Sequence, residues 1–157
     1  MKFISYECYG DLYLNDNFEI IKGKLSVEYI IGDKEFLGKK NKTIYVNKYN
    51  LLIIFNDYLK VRCFEIKEGS FIHLDKDLFK MDFEDVLTLY SSLDKDIIIN
   101  EDGFETRKFG FGVSRKLRNS KYTNKIEFII AFNEDYINEE EPDVDDIINF
   151  YLNDTDN

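Results

Sequence analysis

The sequence has almost none of the residues on which most enzyme active sites depend. Its 157 residues include one His and two Cys, too few for a multi-ligand zinc site or for a catalytic triad built around histidine. It also lacks the GxSxG, HExxH, phosphate-loop and kinase signatures. We therefore predict no enzyme activity, no cofactor and no metal, and we interpret His73 as a structural residue of an apolar strand.

Two weak metal motifs do not change this prediction. The stretch Asn100–Glu105 is similar to a calcium loop, but it lacks the alternating ligand spacing and the flanking helices, so a turn rich in Asp and Gly explains it better. Asp94, Asp96 and Asp102 could together bind magnesium, but acids this frequent also cluster by chance.

Alanine and proline occur once each, and tryptophan and glutamine are absent. That bias is typical of an AT-rich genome and suggests a low-GC bacterium or its phage. It removes the best helix former and enriches β-branched and aromatic residues, so strands should outnumber helices.

Long apolar runs are missing as well, and the first residues do not form a signal peptide. Cys8 and Cys63 lie far apart in apolar stretches, which favours two buried free thiols in a reducing cytoplasm. Aromatic residues make up 16% of the chain, far more than intrinsic disorder allows. We expect a folded cytoplasmic protein that has no membrane contact.

Alternating patterns predict antiparallel strands, and helical spacing predicts a few helices. The fold class that follows is α+β, with a mostly antiparallel sheet and two or three short helices. The predicted strands are Leu51–Phe55, Leu59–Ile66, Lys108–Ser114 and Lys125–Phe132, with Asn56-Asp57 and Asn119–Asn124 as connections. The predicted helices are Asp82–Leu93, capped by Asp82 and buried through Phe83, Val86, Leu87, Tyr90 and Leu93; Asp143–Leu152; and, more weakly, Asp16–Leu25.

The order of these elements suggests a tandem duplication of a helix-then-strands unit within one compact domain, 1–157. Asp11-Leu12-Tyr13 precedes Asp16, Phe18 and Glu19 much as Asp77-Leu78-Phe79 precedes Asp82, Phe83 and Glu84. The half-repeats would be 1–67 and 68–133, followed by an acidic helical segment, 134–157.

Charge is divided unevenly along the chain. The net charge is −10, which disfavours DNA, RNA or an anionic membrane as the main partner. Residues 134–156 contain ten acids and no base, whereas residues 107–125 contain seven bases and no acid. Such stretches either keep a face solvated or attract a basic protein partner.

From this pattern we predict two acidic partner-binding clusters. The first comprises Asp94, Asp96, Glu101 and Asp102. The second comprises Glu139, Glu140, Glu141 and Asp143, with Tyr136 as an aromatic anchor, because Tyr contributes a large contact area at low entropy cost.

The second half of the chain resembles a family of small acidic bacterial proteins. The run Asp77–Leu87, the turn Asp102–Thr106 and the glycine-aromatic strand Phe109–Val113 resemble a pattern in the immunity proteins of bacterial polymorphic toxin systems. A doubled helix-then-strands unit is also similar in outline to the β-lactamase-inhibitor-protein architecture. The resemblance implies a protein that binds and blocks another protein, and it transfers no contact residue to this chain.

These observations give three functional hypotheses. The first is an immunity protein that neutralises a bacterial toxin, for example a nuclease, by direct binding. The second is a phage-encoded inhibitor of a bacterial defence nuclease. The third, of another class, is a structural or adaptor protein that inhibits nothing. The sequence leaves the oligomeric state and the partner's identity open.

Overall fold

The protein is α+β, as predicted, with a mostly antiparallel sheet. A computed structural model describes residues 1–36, 39–134 and 136. In chain order the elements are β1 (Phe3–Ile4), β2 (Cys8–Tyr9), β3 (Leu12–Tyr13), α1 (Phe18–Lys24), β4 (Ile30–Phe36), β5 (Lys39–Val46), β6 (Leu51–Phe55), β7 (Val61–Ile66), β8 (Ile72–His73), β9 (Lys76–Asp77), α2 (Phe83–Leu93), β10 (Ile98–Asn100), β11 (Gly103–Thr106), β12 (Phe111–Arg118) and β13 (Lys121–Phe132).

One eight-stranded sheet dominates the fold, with the strand order β10-β11-β12-β13-β7-β6-β5-β4. It consists of two four-stranded meanders, joined where β7 and β13 pair antiparallel with Ile66 opposite Ile129. In each half, short paired strands and one helix precede the meander. The helices begin at Phe18 and Phe83, two residues that occupy equivalent positions in the proposed half-repeats. The duplication itself stays a prediction.

The hydrophobic core lies between the sheet and a layer formed by the helices and the short strands. Phe3, Phe71 and Phe111 are almost fully buried in it, and the rings of Phe3 and Phe71 stack with their centroids 4.9 Å apart. Clustered aromatic rings bury a large apolar area per residue. The aromatic composition therefore accounts for a sizeable core in a chain with a single alanine.

Helix α2 confirms the predicted helix and corrects two details. Phe83, Val86 and Tyr90 are buried, but Leu93, which the periodicity also placed on the buried stripe, is exposed. Asp82 is the N-cap residue by position, yet its side chain makes no capping hydrogen bond. Its carboxylate instead accepts from Lys125 Nζ at 2.5 Å.

The hairpin β12–β13 is longer than predicted. Residues 121–124, which the sequence analysis placed in a connection, belong to β13, and Lys121 and Tyr122 pair with Arg118 and Leu117 of β12. The turn is reduced to Asn119 and Ser120, which have φ values of +50° and +61°. This part of the strand lies largely at the surface, so it can consist of polar residues. The prediction relied on alternating apolar residues, which a strand needs only where one of its faces is buried.

Three remaining predictions concern cysteines, membranes and the C-terminal helix. Cys8 and Cys63 are buried free thiols, as predicted. Among the described residues, no helix is long and apolar enough to cross a membrane. The predicted helix Asp143–Leu152 lies outside the described residues.

Candidate protein-binding surfaces

Asp94 does not belong to an exposed acidic cluster, contrary to the prediction. It follows the last residue of α2 and is buried. Its carboxylate accepts hydrogen bonds from Thr106 Oγ1 at 2.5 Å and from the backbone N–H of Asp96 at 3.0 Å. Burial by itself raises the pKa of this carboxyl, but the bonds from Thr106 and from the backbone of Asp96 and Lys108 outweigh it, and the pKa is lowered. Asp94 therefore fixes the end of α2 to β11.

The other three acids of the predicted cluster are exposed around strand β10. Among the described strands, this one forms an edge of the sheet and pairs with β11 alone. Ile98 and Ile99, between the acids, are 38% and 54% exposed. We call this set the β10 edge patch; it comprises Asp96, Ile98, Ile99, Glu101 and Asp102. The sequence analysis missed the two isoleucines, although a run of three Ile residues flanked by acids signals them.

The turn that ends the β10 edge patch is held rigidly. Asn100 lies opposite Gly103, so Glu101 and Asp102 form a two-residue hairpin loop. The Asp102 carbonyl accepts from the Arg115 backbone N–H at 2.7 Å. A Cβ atom at Gly103 would collide with the Val113 carbonyl oxygen, so the close approach of β12 requires glycine. In the described part of the chain, no group of His, Cys, Asp and Glu could hold a metal ion.

Tyr136, the predicted anchor, lies elsewhere. Its ring stacks on Phe132 with centroids 4.8 Å apart, and the Arg62 guanidinium lies 5.2 Å from its centroid. The sheet order places β13 three strands from β10. The structure therefore does not bring Tyr136 together with the β10 edge patch. Glu139, Glu140, Glu141 and Asp143 lie outside the described residues.

The sheet face opposite the helices, here called the outer face, is also apolar. Ile54, Cys63 and Phe132 form a second buried cluster there, with Tyr6, Leu52, Ile130 and Tyr136 packed against it. Directly paired residues share a face, so one row crosses the whole sheet on this side: Ile30, Tyr45, Leu52, Glu65, Ile130, Gly112, Glu105 and Ile98. The unbroken apolar run Leu51–Phe55 is the sequence signal for a strand with apolar residues on both faces.

The excess of acidic over basic residues lies in the part of the sequence that follows the last strand of the sheet. All 21 Lys and Arg residues lie within positions 1–133, whereas ten of the 31 acids lie beyond, so the first 133 residues have no net charge. Glu134, which is exposed, is the first acid of this excess. Long-range attraction of a basic partner therefore depends mainly on residues 134–157.

The tip of the β12–β13 hairpin carries several basic residues, and we call it the basic arm. Beyond Ser114, β12 pairs only with β13, so the tip of that hairpin projects from the sheet. Arg115 pairs with Glu84 at 3.1 Å. Lys116, Arg118 and Lys121 are exposed and have no ion pair within the described ranges. The arm is a solvated cationic surface.

His73 has the structural role that the sequence predicted. It is buried, and its Nδ1 lies 2.6 Å from the Tyr90 hydroxyl while its Nε2 lies 3.2 Å from Ser5 Oγ. Burial lowers the pKa of the imidazole. The ring thus connects the first hairpin, β1–β2, to helix α2 in its neutral form.

No protein-family model, no curated protein and no solved structure matches this chain.

Proposed function

We propose that the protein is an inhibitory protein-binding module, an immunity protein that neutralises a cognate bacterial toxin by direct binding. The single observation that best supports this proposal is the β10 edge patch, in which exposed isoleucines lie between exposed acids at the open edge of a sheet. A phage-encoded inhibitor of a bacterial defence nuclease is a variant of this proposal, because it too would inhibit another protein by direct binding. The proposed location is the cytoplasm.

The composition of the patch favours a protein partner. Protein interfaces combine an apolar centre with a polar rim. Ile98 and Ile99 lie on opposite faces of the edge strand and offer apolar surface to a partner that covers this edge, while Asp96, Glu101 and Asp102 supply the rim. An exposed sheet edge also offers unpaired backbone N–H and C=O groups to an added strand. The short length of β10 limits such pairing to three residues, so side-chain contacts must supply most of the affinity.

The charge distribution favours a basic partner, for example a nuclease whose active site binds phosphates. Acids in the patch and in residues 134–157 attract such a surface and repel nucleic acid. Fixed acids at the rim raise the association rate more than the affinity. Glu139, Glu140, Glu141 and Asp143 are the proposed second contact.

The duplicated architecture is part of the same proposal. Two units, each with short strands, a helix and a four-stranded meander, support the hypothesis that 1–67 and 68–133 are half-repeats. A duplicated unit enlarges a rigid sheet without new local structure, and a rigid scaffold reduces the entropy cost of binding.

A growth assay in a heterologous host tests the proposal. Each product of the neighbouring reading frames is expressed alone and together with this protein. We expect one product to be toxic and co-expression to restore growth, with a 1:1 complex on purification. Toxicity that persists for every neighbour, or a stable complex that leaves toxicity intact, contradicts inhibition; the second result favours the adaptor hypothesis.

A matched pair of variants places the interface. Ile99→Lys introduces a charge at an exposed position of β10, and Ile31→Lys does the same on β4, the opposite edge of the sheet; the two side chains are 54% and 48% exposed. We expect Ile99→Lys to lose growth rescue and Ile31→Lys to keep it. Equal rescue by both variants would remove the β10 edge patch from the interface.

A further inference from the structure

We propose that two copies of this chain form a symmetric dimer in which the basic arm of each copy lies along the β10 edge patch of the other. The dimer goes beyond the proposed function, and its test needs no toxin, so failure of one proposal is distinguishable from failure of the other. One consequence rests on the proposed function: the toxin and the second copy compete, because both bind the β10 edge patch.

The arm leaves an open space at one corner of the sheet. The pairing of β11 with β12 ends at Ser114, whereas β12 continues to Arg118. In the described part of the chain, the edge of residues 115–118 that faces away from β13 is therefore open. The turn Glu101-Asp102 bounds this space, because its second carbonyl accepts from the backbone N–H of Arg115. We call the space between the turn and the open edge the corner notch. An open strand edge is a template for another strand.

The β10–β11 hairpin of a second copy fits the corner notch. Strand β10 is the outermost strand of the order β10-β11-β12. Rotation by half a turn about an axis perpendicular to the sheet, close to Glu101-Asp102, therefore brings β10 of the second copy beside β12 of the first. Within one copy β10 and β12 are parallel, since each is antiparallel to β11, so the rotated β10 is antiparallel to β12. The lengths agree as well, because β10 spans about 10 Å and residues 115–118 span about 13 Å.

The side chains along this contact are complementary in charge. Antiparallel pairing places Lys116, at the base of the arm, near the turn Glu101-Asp102 of the second copy. It places Arg118 and Lys121, at the tip of the arm, near Asp96 of the second copy. All of these side chains are exposed in the single chain. Complementary charges of this kind fix the register of an interface and raise the association rate.

The contact also covers exposed apolar surface. Leu117 is 51% exposed on the arm. In the dimer it packs against the isoleucine on its own face of the sheet, Ile98 or Ile99 of the second copy. Burial of these side chains removes apolar area from water and protects an edge strand that is otherwise free to aggregate.

The other charges close to the contact do not outweigh this attraction. Lys95 is exposed beside the patch, and the acidic turns of the two copies approach each other at the axis. On the arm side, Glu84 pairs with Arg115 at 3.1 Å, and Glu127 is exposed on β13, the strand away from the corner notch. Each of the two equivalent contacts joins three bases to three acids, so attraction exceeds these repulsions.

The arm is held in place before any partner binds. The Arg115 guanidinium lies 4.7 Å from the centroid of the Phe83 ring, in addition to its ion pair with Glu84. The Glu84 backbone N–H donates to Asn124 Oδ1 at 2.8 Å. These contacts fix the base of the arm to the start of α2, which lowers the entropy cost of binding.

Sedimentation velocity of the purified full-length protein over a series of concentrations tests the dimer. We expect a monomer–dimer equilibrium that shifts toward the monomer as salt screens the charges. The arm-reversed variant carries Lys116→Glu and Arg118→Glu, and the patch-reversed variant carries Asp96→Lys and Glu101→Lys. Each variant alone should dimerise at least about tenfold more weakly, because like charges then meet in both contacts. Lys60→Glu with Lys76→Glu, a control at exposed bases outside the arm, should leave the dimer unchanged.

An equimolar mixture of the two reversed variants gives the decisive result. Both contacts of the mixed dimer join opposite charges, so the mixture should regain a dimer that neither variant forms alone. If a reversed variant fails to fold, Leu117→Ser tests the same contact without a change of charge and should also weaken the dimer. A monomer at every concentration overturns the proposal. So does a dimer that survives both reversals, which assigns dimerisation to another surface, or a mixture that stays monomeric.

Discussion

At the scale of single residues, His73 makes the stability of this protein dependent on pH near neutrality. It is the only histidine and is surrounded by Phe3, Phe109, Phe111 and Tyr90. Because burial lowers its pKa in the folded state, the unfolded state binds the proton more readily. Its contribution to stability is complete above the unfolded pKa of about 6.5 and is lost as the pH falls below that value toward the folded pKa.

We therefore expect the free energy of unfolding to fall as the pH decreases from 7 to 5, measured by urea denaturation. His73→Phe keeps an aromatic ring in the same site and removes the titrating group. Its free energy of unfolding should be lower at pH 7, because the bonds to Ser5 and Tyr90 are lost, but nearly constant over this range. An equal slope in both proteins would contradict the assignment.

The buried carboxylate of Asp94 is stabilised by the hydrogen bond that it accepts from the Thr106 hydroxyl. Thr106→Val keeps the shape of the side chain but removes the hydroxyl that donates to a buried carboxylate. We expect a loss of about 1–3 kcal/mol in the free energy of unfolding at pH 7. Thr123→Val, at an exposed hydroxyl that donates to the Lys116 carbonyl, should cost less than about 1 kcal/mol.

The pH dependence of this pair provides a second measurement. The pKa of Asp94 is lowered in the folded state, so its stabilisation is present above the unfolded pKa of about 3.9 and is lost as the pH falls through the folded value. The difference between wild type and Thr106→Val should therefore shrink toward pH 2. A difference that is constant from pH 7 to pH 2 would show that the hydroxyl does not bind the ionised carboxyl.

At the scale of elements, one substitution should have opposite effects at two glycines. Gly103→Ala places a Cβ against the Val113 carbonyl oxygen and should destabilise the protein by on the order of 2 kcal/mol. Gly23→Ala lies in α1 with open space around it and should stabilise by about 0.5–1 kcal/mol, because alanine favours the helix.

Both variants can be compared in one series of thermal or urea unfolding experiments. The β10–β11 turn is tight because a neighbouring strand approaches it, whereas the last turn of α1 faces solvent. Destabilisation of equal size at both positions would contradict both the gain in helix propensity at Gly23 and the decisive role of the contact with β12 at Gly103.

At the scale of the whole molecule, charge is separated between a neutral sheet domain and an acidic end. Once a basic partner is identified, Glu139→Lys, Glu140→Lys and Glu141→Lys together should lower its association rate at least tenfold at low salt and change its dissociation rate little. The slope of the rate with salt should decrease too, since screening is already strong beyond about 8 Å at physiological ionic strength.

A control variant with the same change of charge uses three exposed acids elsewhere: Glu19, Glu28 and Asp57. Reversal of these acids should reduce the association rate less, because they lie on the first half of the chain. If neither the rate nor its salt dependence differs between the two variants, the acids at positions 139–141 serve solubility alone and the docking site lies elsewhere.

Local patterns were enough to predict several elements of the fold. The helical stripe of Phe83, Val86 and Tyr90 predicted α2, and alternation predicted most of β7 and of β13. The alternating residues Ile130 and Phe132 of β13, however, lie on the outer face of the sheet. These patterns are visible because side-chain direction repeats with the local backbone geometry. Exposed segments such as residues 121–124 gave no such pattern, and their strand was missed.

The sequence by itself determined the α+β class, the free thiols and the separation of charge, because each follows from composition or from local periodicity. Only the tertiary structure decided which acids face solvent. Asp94 and Asp96 are two residues apart in similar local sequence, yet Asp94 is buried and accepts a hydrogen bond from Thr106 of β11, whereas Asp96 is exposed. Strand order likewise separated Tyr136 from the β10 edge patch, because pairing between distant segments depends on contacts that no local pattern records.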